Sequence, residues 1–228
     1  DSALTKIVDE TTNQIRKHAY QTPNYRIEDG ITMLDTPEGD LPIEIFGAHN
    51  LNNLSGAKWI CQHMGVDEDD FYEAIATFKG ASKRLEKIYE TAKTVVFKDF
   101  AHSPSKVSAT VKAVREQYPN KELIACLELH TYSSLNPEFL KEYKNSLDPA
   151  DTAVVFYSPE ALKIKKLEML AKEDILEAFG RQDLLVYTNA EEFQKYLRTL
   201  DYSEKAVLLM SSGNYGGLKF EEIKDWIS

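Results

Sequence analysis

Cysteine is scarce in this chain: two residues, Cys61 and Cys126, each in apolar surroundings ("KWICQHMG" and "LIACLEL"). No CxxC pair or Cys/His ligand spacing exists, which argues against a structural zinc site. Two buried thiols fit a reducing cytoplasm. Cations are short as well, with 27 Lys and Arg against 37 Asp and Glu, a net charge of -10. The clustered positive charge that neutralises a nucleic-acid backbone is therefore missing. A small anionic ligand still fits, since such a site needs only a few local cations and backbone N–H groups. No apolar stretch approaches the length of a bilayer span and no secretory signal opens the chain, so no membrane partner is expected. The phosphate loop GxxxxGK[ST] is absent, and no GxGxxG follows a predicted strand, which makes a flavin or dinucleotide oxidoreductase a poor reading. The first residue is Asp1 rather than Met, as in a cut fragment.

What is present is ordinary for a globular chain: 43% hydrophobic and 28% charged residues over 228, enough for a sizeable core. Residues 1–20 read as a helix with Leu4, Ile7, Val8 and Ile15 on one side. Residues 24–47 read as a small antiparallel ribbon around the turn "PEGD". Two helices follow, one opened by Asn50 to Asn53 and closed by Gly65, the other capped by Asp67 and stopped by Gly80. From residue 83 onward, apolar β-branched runs ("TVVFKDF", "ELIACLEL", "TAVVFYS", "DLLVYT", "KAVLLMS") alternate with helical stretches, the last being "LKFEEIKDWIS". That alternation predicts a doubly wound α/β domain with a parallel sheet of about five strands.

Ligands of such sheets bind beyond the carboxyl ends of the strands. Three of those ends carry clusters: "DFAHSPSKV", "HTYSSLN" and "SSGNYGGL". In the first, Ser103 and Pro104 suit a helix start, Asp99 could accept two ribose hydroxyls, and His102 stands where a phosphate is favoured. In "FGAHNLNNLSGA", Gly47, His49, Asn50 and Asn53 sit at a ribbon-to-helix junction, and an amide suits the edge of a purine. The plainer alternative is an Asn cap with a hinge glycine. Lys83 and Arg84 in "FKGASKRLEKI" could neutralise phosphate or lie on a solvated surface. The glycines of "SSGNYGGL" either permit a tight turn or let backbone approach a substrate.

The order "GAHNLNN", "FKGASKRLE", "DFAHSP", followed by a doubly wound domain, resembles the Mur ligases, ATP-dependent amide-forming enzymes of peptidoglycan synthesis. The resemblance runs from about residue 24 to the C-terminus. It implies that residues 1–80 are the C-terminal part of a central ATP-binding domain and residues 81–228 a Rossmann-like C-terminal domain. The phosphate loop and the ligands of Mg2+ would then lie upstream, and the fragment alone would be inactive. "FKGASKRLE" and "LLMSSGNYGGL" are most similar to the branch that joins UDP-N-acetylmuramate to the murein tripeptide L-Ala-γ-D-Glu-meso-diaminopimelate; the alternative branch takes L-alanine.

Carried over by motif, Asn50 would contact adenine with His49 beside it, and Arg84 would reach the nucleotide from the C-terminal side. Asp99 would hold the ribose. His102, as the catalytic residue, would lie near the phosphates or the reacting carboxylate. His130, Ser212 and Asn214 would meet the amine or peptide, although siblings often carry an arginine near His130 or Thr131. The stretch 78–84, with Gly80, would be a hinge. A non-catalytic Rossmann-like module that binds a nucleotide or a protein is the competing reading.

Overall fold

The computed structural model describes residues 2–14 and 16–227. Its first helix, α1 (Ser2–Glu10), is half the expected length. Past Glu10 the polar run competes for the backbone: the Asn13 N–H donates to Thr11 Oγ1 at 3.3 Å, and the described residues from 11 to 24 are irregular. Leu4 and Ile7 are exposed, and Ile15 lies outside the described residues.

The ribbon forms as a three-stranded antiparallel sheet of β1 (Tyr25–Glu28), β2 (Ile31–Thr36) and β3 (Gly39–Ile43). Alternation along β2 turns Thr32 and Leu34 inward. Leu34 and Ile43 pack on Leu51 and Leu54 of α2 (Ala48–His63) and on Phe71 of α3 (Glu68–Ala76). Asp67 caps α3 as expected, accepting from the Asp70 N–H at 3.1 Å, but α3 ends at Ala76, before Gly80. Helix α2 begins at Ala48 rather than at Asn50. Asn50 lies within its first turn, with Nδ2 donating to the Phe46 carbonyl at 3.1 Å. Gly65 does follow its last turn, where the Val66 N–H reaches the Cys61 carbonyl at 3.0 Å.

The larger sheet has six strands in the order β4-β5-β9-β6-β7-β8. These are β4 (Glu86–Glu90), β5 (Val95–Asp99), β6 (Glu122–Leu129), β7 (Thr152–Tyr157), β8 (Leu185–Tyr187) and β9 (Lys205–Met210). All five strands foreseen from apolar runs are present and parallel; the sixth, β4, runs antiparallel to β5 at the edge. Its sequence, Glu-Lys-Ile-Tyr-Glu, carries the charges that blunt an exposed edge, and this hides it from a search for hydrophobic runs. One face is covered by α4 (Pro104–Gln117), α5 (Pro137–Leu140), α6 (Pro159–Lys165) and α7 (Lys172–Phe179), the other by α8 (Ala190–Thr199) and the C-terminal segment. That last segment is a 3₁₀ helix, Phe220–Asp225, not the α-helix expected.

The two sheets share packing. Phe46 lies edge-on to Phe97 with ring centroids 5.3 Å apart, and Thr32 Oγ1 donates to Gln117 Oε1 at 3.2 Å. At Gly47, which has φ 86°, a Cβ would stand 2.5 Å from the Cβ of Ala113 on α4. No other residue fits there, because the left-handed backbone and the close approach both exclude a side chain. Gly47→Ala is expected to lower stability by about 2 kcal/mol or more. Urea unfolding of the variant against wild type measures it, and an unchanged midpoint would contradict the close approach of α2 to α4.

Candidate functional site

Inserting β9 between β5 and β6 makes neighbours of the three motif-bearing strand ends. The Ser211 N–H donates to the Asp99 carbonyl at 3.0 Å, extending the β5–β9 ladder into both loops. Beside this edge, where α2 meets the larger sheet, lies a cavity of about 330 Å³. His49, Asn50 and Asn53 of α2 line one side of it; Arg84, Asp99 and Lys106 line the other. A second, more apolar cavity of about 500 Å³ shares Asn50, Asn53 and Arg84 and is walled by Ile45, Leu54, Ile75 and Phe78. The two form one cleft with an apolar end and a polar end. The sequence-predicted residues His49, Asn50, Arg84 and Asp99 all meet there.

Asp99 is 7% exposed and its carboxylate is already well used. Oδ2 accepts from the Leu85 N–H at 2.7 Å; Oδ1 accepts from the Ala101 N–H at 2.7 Å and from Thr110 Oγ1 at 3.4 Å. It shapes both loops of the cleft before it touches any ligand. Asn50, with Nδ2 turned back to Phe46, keeps its carbonyl oxygen as an acceptor. Asn52 Oδ1 is buried beside the same cavity without a hydrogen-bond partner among the described residues. His49 is held below its ordinary pKa: burial is the main cause, Asp99 opposes it and Arg84 adds to it.

His102 does not line the cavity. Its Nδ1 lies 2.8 Å from the Phe100 carbonyl, and its own carbonyl accepts from the Tyr143 hydroxyl. Ser103 precedes α4 and Pro104 opens it, but the Ser103 side chain makes no capping bond. His130 stands exposed at the end of β6. Asn214 spends Oδ1 on the Gly217 N–H at 3.1 Å, and Ser212 Oγ is buried without a partner among the described residues. The loop that holds them is anchored by Tyr215, whose hydroxyl bonds to the Cys126 and Met210 carbonyls at 2.8 Å each.

Lys106, Phe78 and above all Glu128 escaped the sequence reading. Glu128 is a buried acid inside the apolar run "ELIACLEL", and that interruption was the available signal. Among the described residues no group of three or more His, Cys, Asp or Glu could hold a metal ion, so no step through Mg2+ is assigned to this chain's residues. No described helix is long and apolar enough to cross a membrane.

A family model described as "Mur ligase, glutamate ligase domain" matches residues 83–213. The chain belongs to the Mur ligase family. The UDP-N-acetylmuramate–L-alanine ligase of Lactococcus lactis subsp. cremoris is 25% identical over 176 residues, covering 77% of this chain and 38% of that protein. The chain thus spans about two-fifths of the length of such curated relatives. Among solved structures, the UDP-N-acetylmuramate–alanine ligase of Thermotoga maritima aligns with TM-score 0.67 at 17% identity, covering 88% of this chain and 44% of that one. A murein peptide ligase from Psychrobacter arcticus aligns with TM-score 0.54 at 22% identity, covering 86% and 40%. At these identities the likeness shows the Mur ligase fold.

The depressed His49 pKa makes stability depend on pH. The folded state favours the neutral ring, so the unfolded chain takes up the proton first as pH falls below about 6.5. His49 therefore costs nothing above that pH and lowers stability progressively beneath it, down to its folded pKa. Urea midpoints at pH 7.5 and 5.5 measure this: His49→Gln is expected to lose less stability between the two than wild type, and an equal loss would remove the burial argument.

Proposed function

We propose that the complete protein carrying this chain is an ATP-dependent ligase that joins UDP-N-acetylmuramate to the murein tripeptide L-Ala-γ-D-Glu-meso-diaminopimelate through an acyl phosphate. It would work in the cytoplasm, where Cys61 and Cys126 stay reduced. Residues 1–80 serve as the end of its nucleotide-binding domain and residues 81–228 as the domain that brings the amine. The observation that carries this reading is the cleft in which Asn50 and Arg84, from opposite sides, share two adjoining cavities.

The apolar end, with Ile45 and Phe78, suits a purine, and the Asn50 carbonyl can accept from its exocyclic amine. Arg84 and Lys106 at the polar end supply the charge that phosphates require. Asp99 keeps an acceptor site on Oδ2 for a ribose hydroxyl, besides holding Leu85 and Ala101. A nucleotide gripped from both sides draws the two parts together and excludes water from a hydrolysable acyl phosphate. Gly80 and Lys83 have positive φ, and the stretch 78–84 that contains them is the proposed hinge. His102 remains the candidate nearest the reacting carboxylate, reached on closure.

L-alanine as the amine is the second reading, favoured by curated relatives that carry the name UDP-N-acetylmuramate–L-alanine ligase. Against it stand "FKGASKRLE" and "LLMSSGNYGGL", which resemble the tripeptide branch. Assaying the complete gene product with each amine separates the two: amide formed with the tripeptide and not with L-alanine is expected, and the reverse would select the second reading. In the same assay Arg84→Ala and Asn50→Ala are expected to raise the KM for ATP about tenfold. Wild-type KM values in both would remove the nucleotide assignment.

A further inference from the structure

At the shared edge of β6 and β9, Glu128 is a carboxylate with only 5% of its side chain exposed. Its two oxygens do different things. Oε2 accepts from the Ser211 hydroxyl and from the Tyr215 N–H at 2.9 Å, tying the loop after β9 to β6. Oε1 is met among the described residues by one group, His130 Nδ1, at 3.7 Å. Gly213 closes this arrangement from above: a Cβ there would stand 2.8 Å from Oε2 and 3.0 Å from His130 Cγ. The Nδ1 side of the ring thus faces Glu128 and Gly213, while the side chain of His130 is 46% exposed overall. Nε2, across the ring, is the nitrogen left to meet a ligand.

We propose that Glu128 is a positioning residue that holds His130 as the base for the incoming amine. The inference rests on the ligase reading above. An amine arrives as an ammonium ion, which has no lone pair for attack. His130 Nε2 takes one proton from it, and the neutral nitrogen attacks the acyl carbon. The new C–N bond forms, the C–O bond to phosphate breaks, and the oxygen leaves with the electron pair. The nitrogen's second surplus proton goes to the departing phosphate. As His130 gains its proton it becomes a cation beside a buried carboxylate, so the attraction exists only once the proton has moved. An interaction of that kind raises kcat rather than lowering KM.

The test uses the complete gene product with saturating ATP and UDP-sugar and varied amine. His130→Gln is expected to lower kcat about a hundredfold. Glu128→Gln, which keeps an acceptor for Ser211 and Tyr215 but loses the charge, is expected to lower kcat about tenfold with little change in the amine KM. In the His130→Gln background the same change is expected to cost less than about twofold, because its effect passes through the ring. Glu128→Gln losing an equal factor in both backgrounds would overturn the proposal. His130 is exposed, so its single variant decides even if Glu128→Gln fails to fold: unchanged kcat in His130→Gln overturns it. An active wild type with that result removes this inference alone, whereas a wild type that forms no amide removes the ligase reading and the inference with it.

Discussion

A buried carboxylate must be met by donors, and at Asp99 that requirement organises the site. Its two oxygens gather the Leu85 and Ala101 N–H groups and the Thr110 hydroxyl, while its carbonyl takes the Ser211 N–H. One residue thereby ties together the connection into β4, the loop before α4, α4 itself and the loop after β9. Leaving any of those donors unpaired in the interior costs roughly 1–3 kcal/mol, so the loops that wall the cleft are held by necessity. Arg84 and Lys106 reach the cleft because their backbones flank this knot.

Glu128 repeats the device two strands further along the same edge, on β6. Its Oε2 pins Ser211 and Tyr215, and Tyr215 in turn packs on the sheet face covered by α8, with its ring 4.9 Å from that of Phe193. The two acids lie on either side of β9, the last strand in sequence and an inner one in space. The sheet order therefore has a chemical consequence. Strand β9 pairs with β5 on one side and with β6 on the other, so its carboxyl end stands between the Asp99 and Glu128 clusters and its following loop is tied to both.

The elements legible from the sequence were those whose pattern is set locally. Apolar β-branched runs announced the five parallel strands, and Asp67 with its following acids announced the start of α3. Apart from the short α1, where a local polar run ends the helix, the misses share a cause, which is that tertiary contacts decided them. Strand β4 is strand because β5 offers it an edge, not because its own residues demand it. Asn50 looked like a cap, but Gly47 opens the helix one turn earlier because α4 presses against it. The clustering of His49, Asn50, Arg84 and Asp99 was readable through motif resemblance, while the inward role of the Asp99 carboxylate was not, since two of its three partners, Leu85 and Thr110, come from other elements. Glu128 was missed for the same reason: its partners Ser211 and Tyr215 lie on another strand end.

On the ligase reading, an adenine nucleotide occupies the cleft between α2 and the larger sheet. A crystal structure of the complete gene product with a non-hydrolysable ATP analogue decides the matter. The purine is expected between Ile45 and Phe78 with Asn50 at its edge, and Arg84 within hydrogen-bond distance of the nucleotide. A nucleotide bound elsewhere, for example against Trp59 and His63 on the far side of α2, would contradict it.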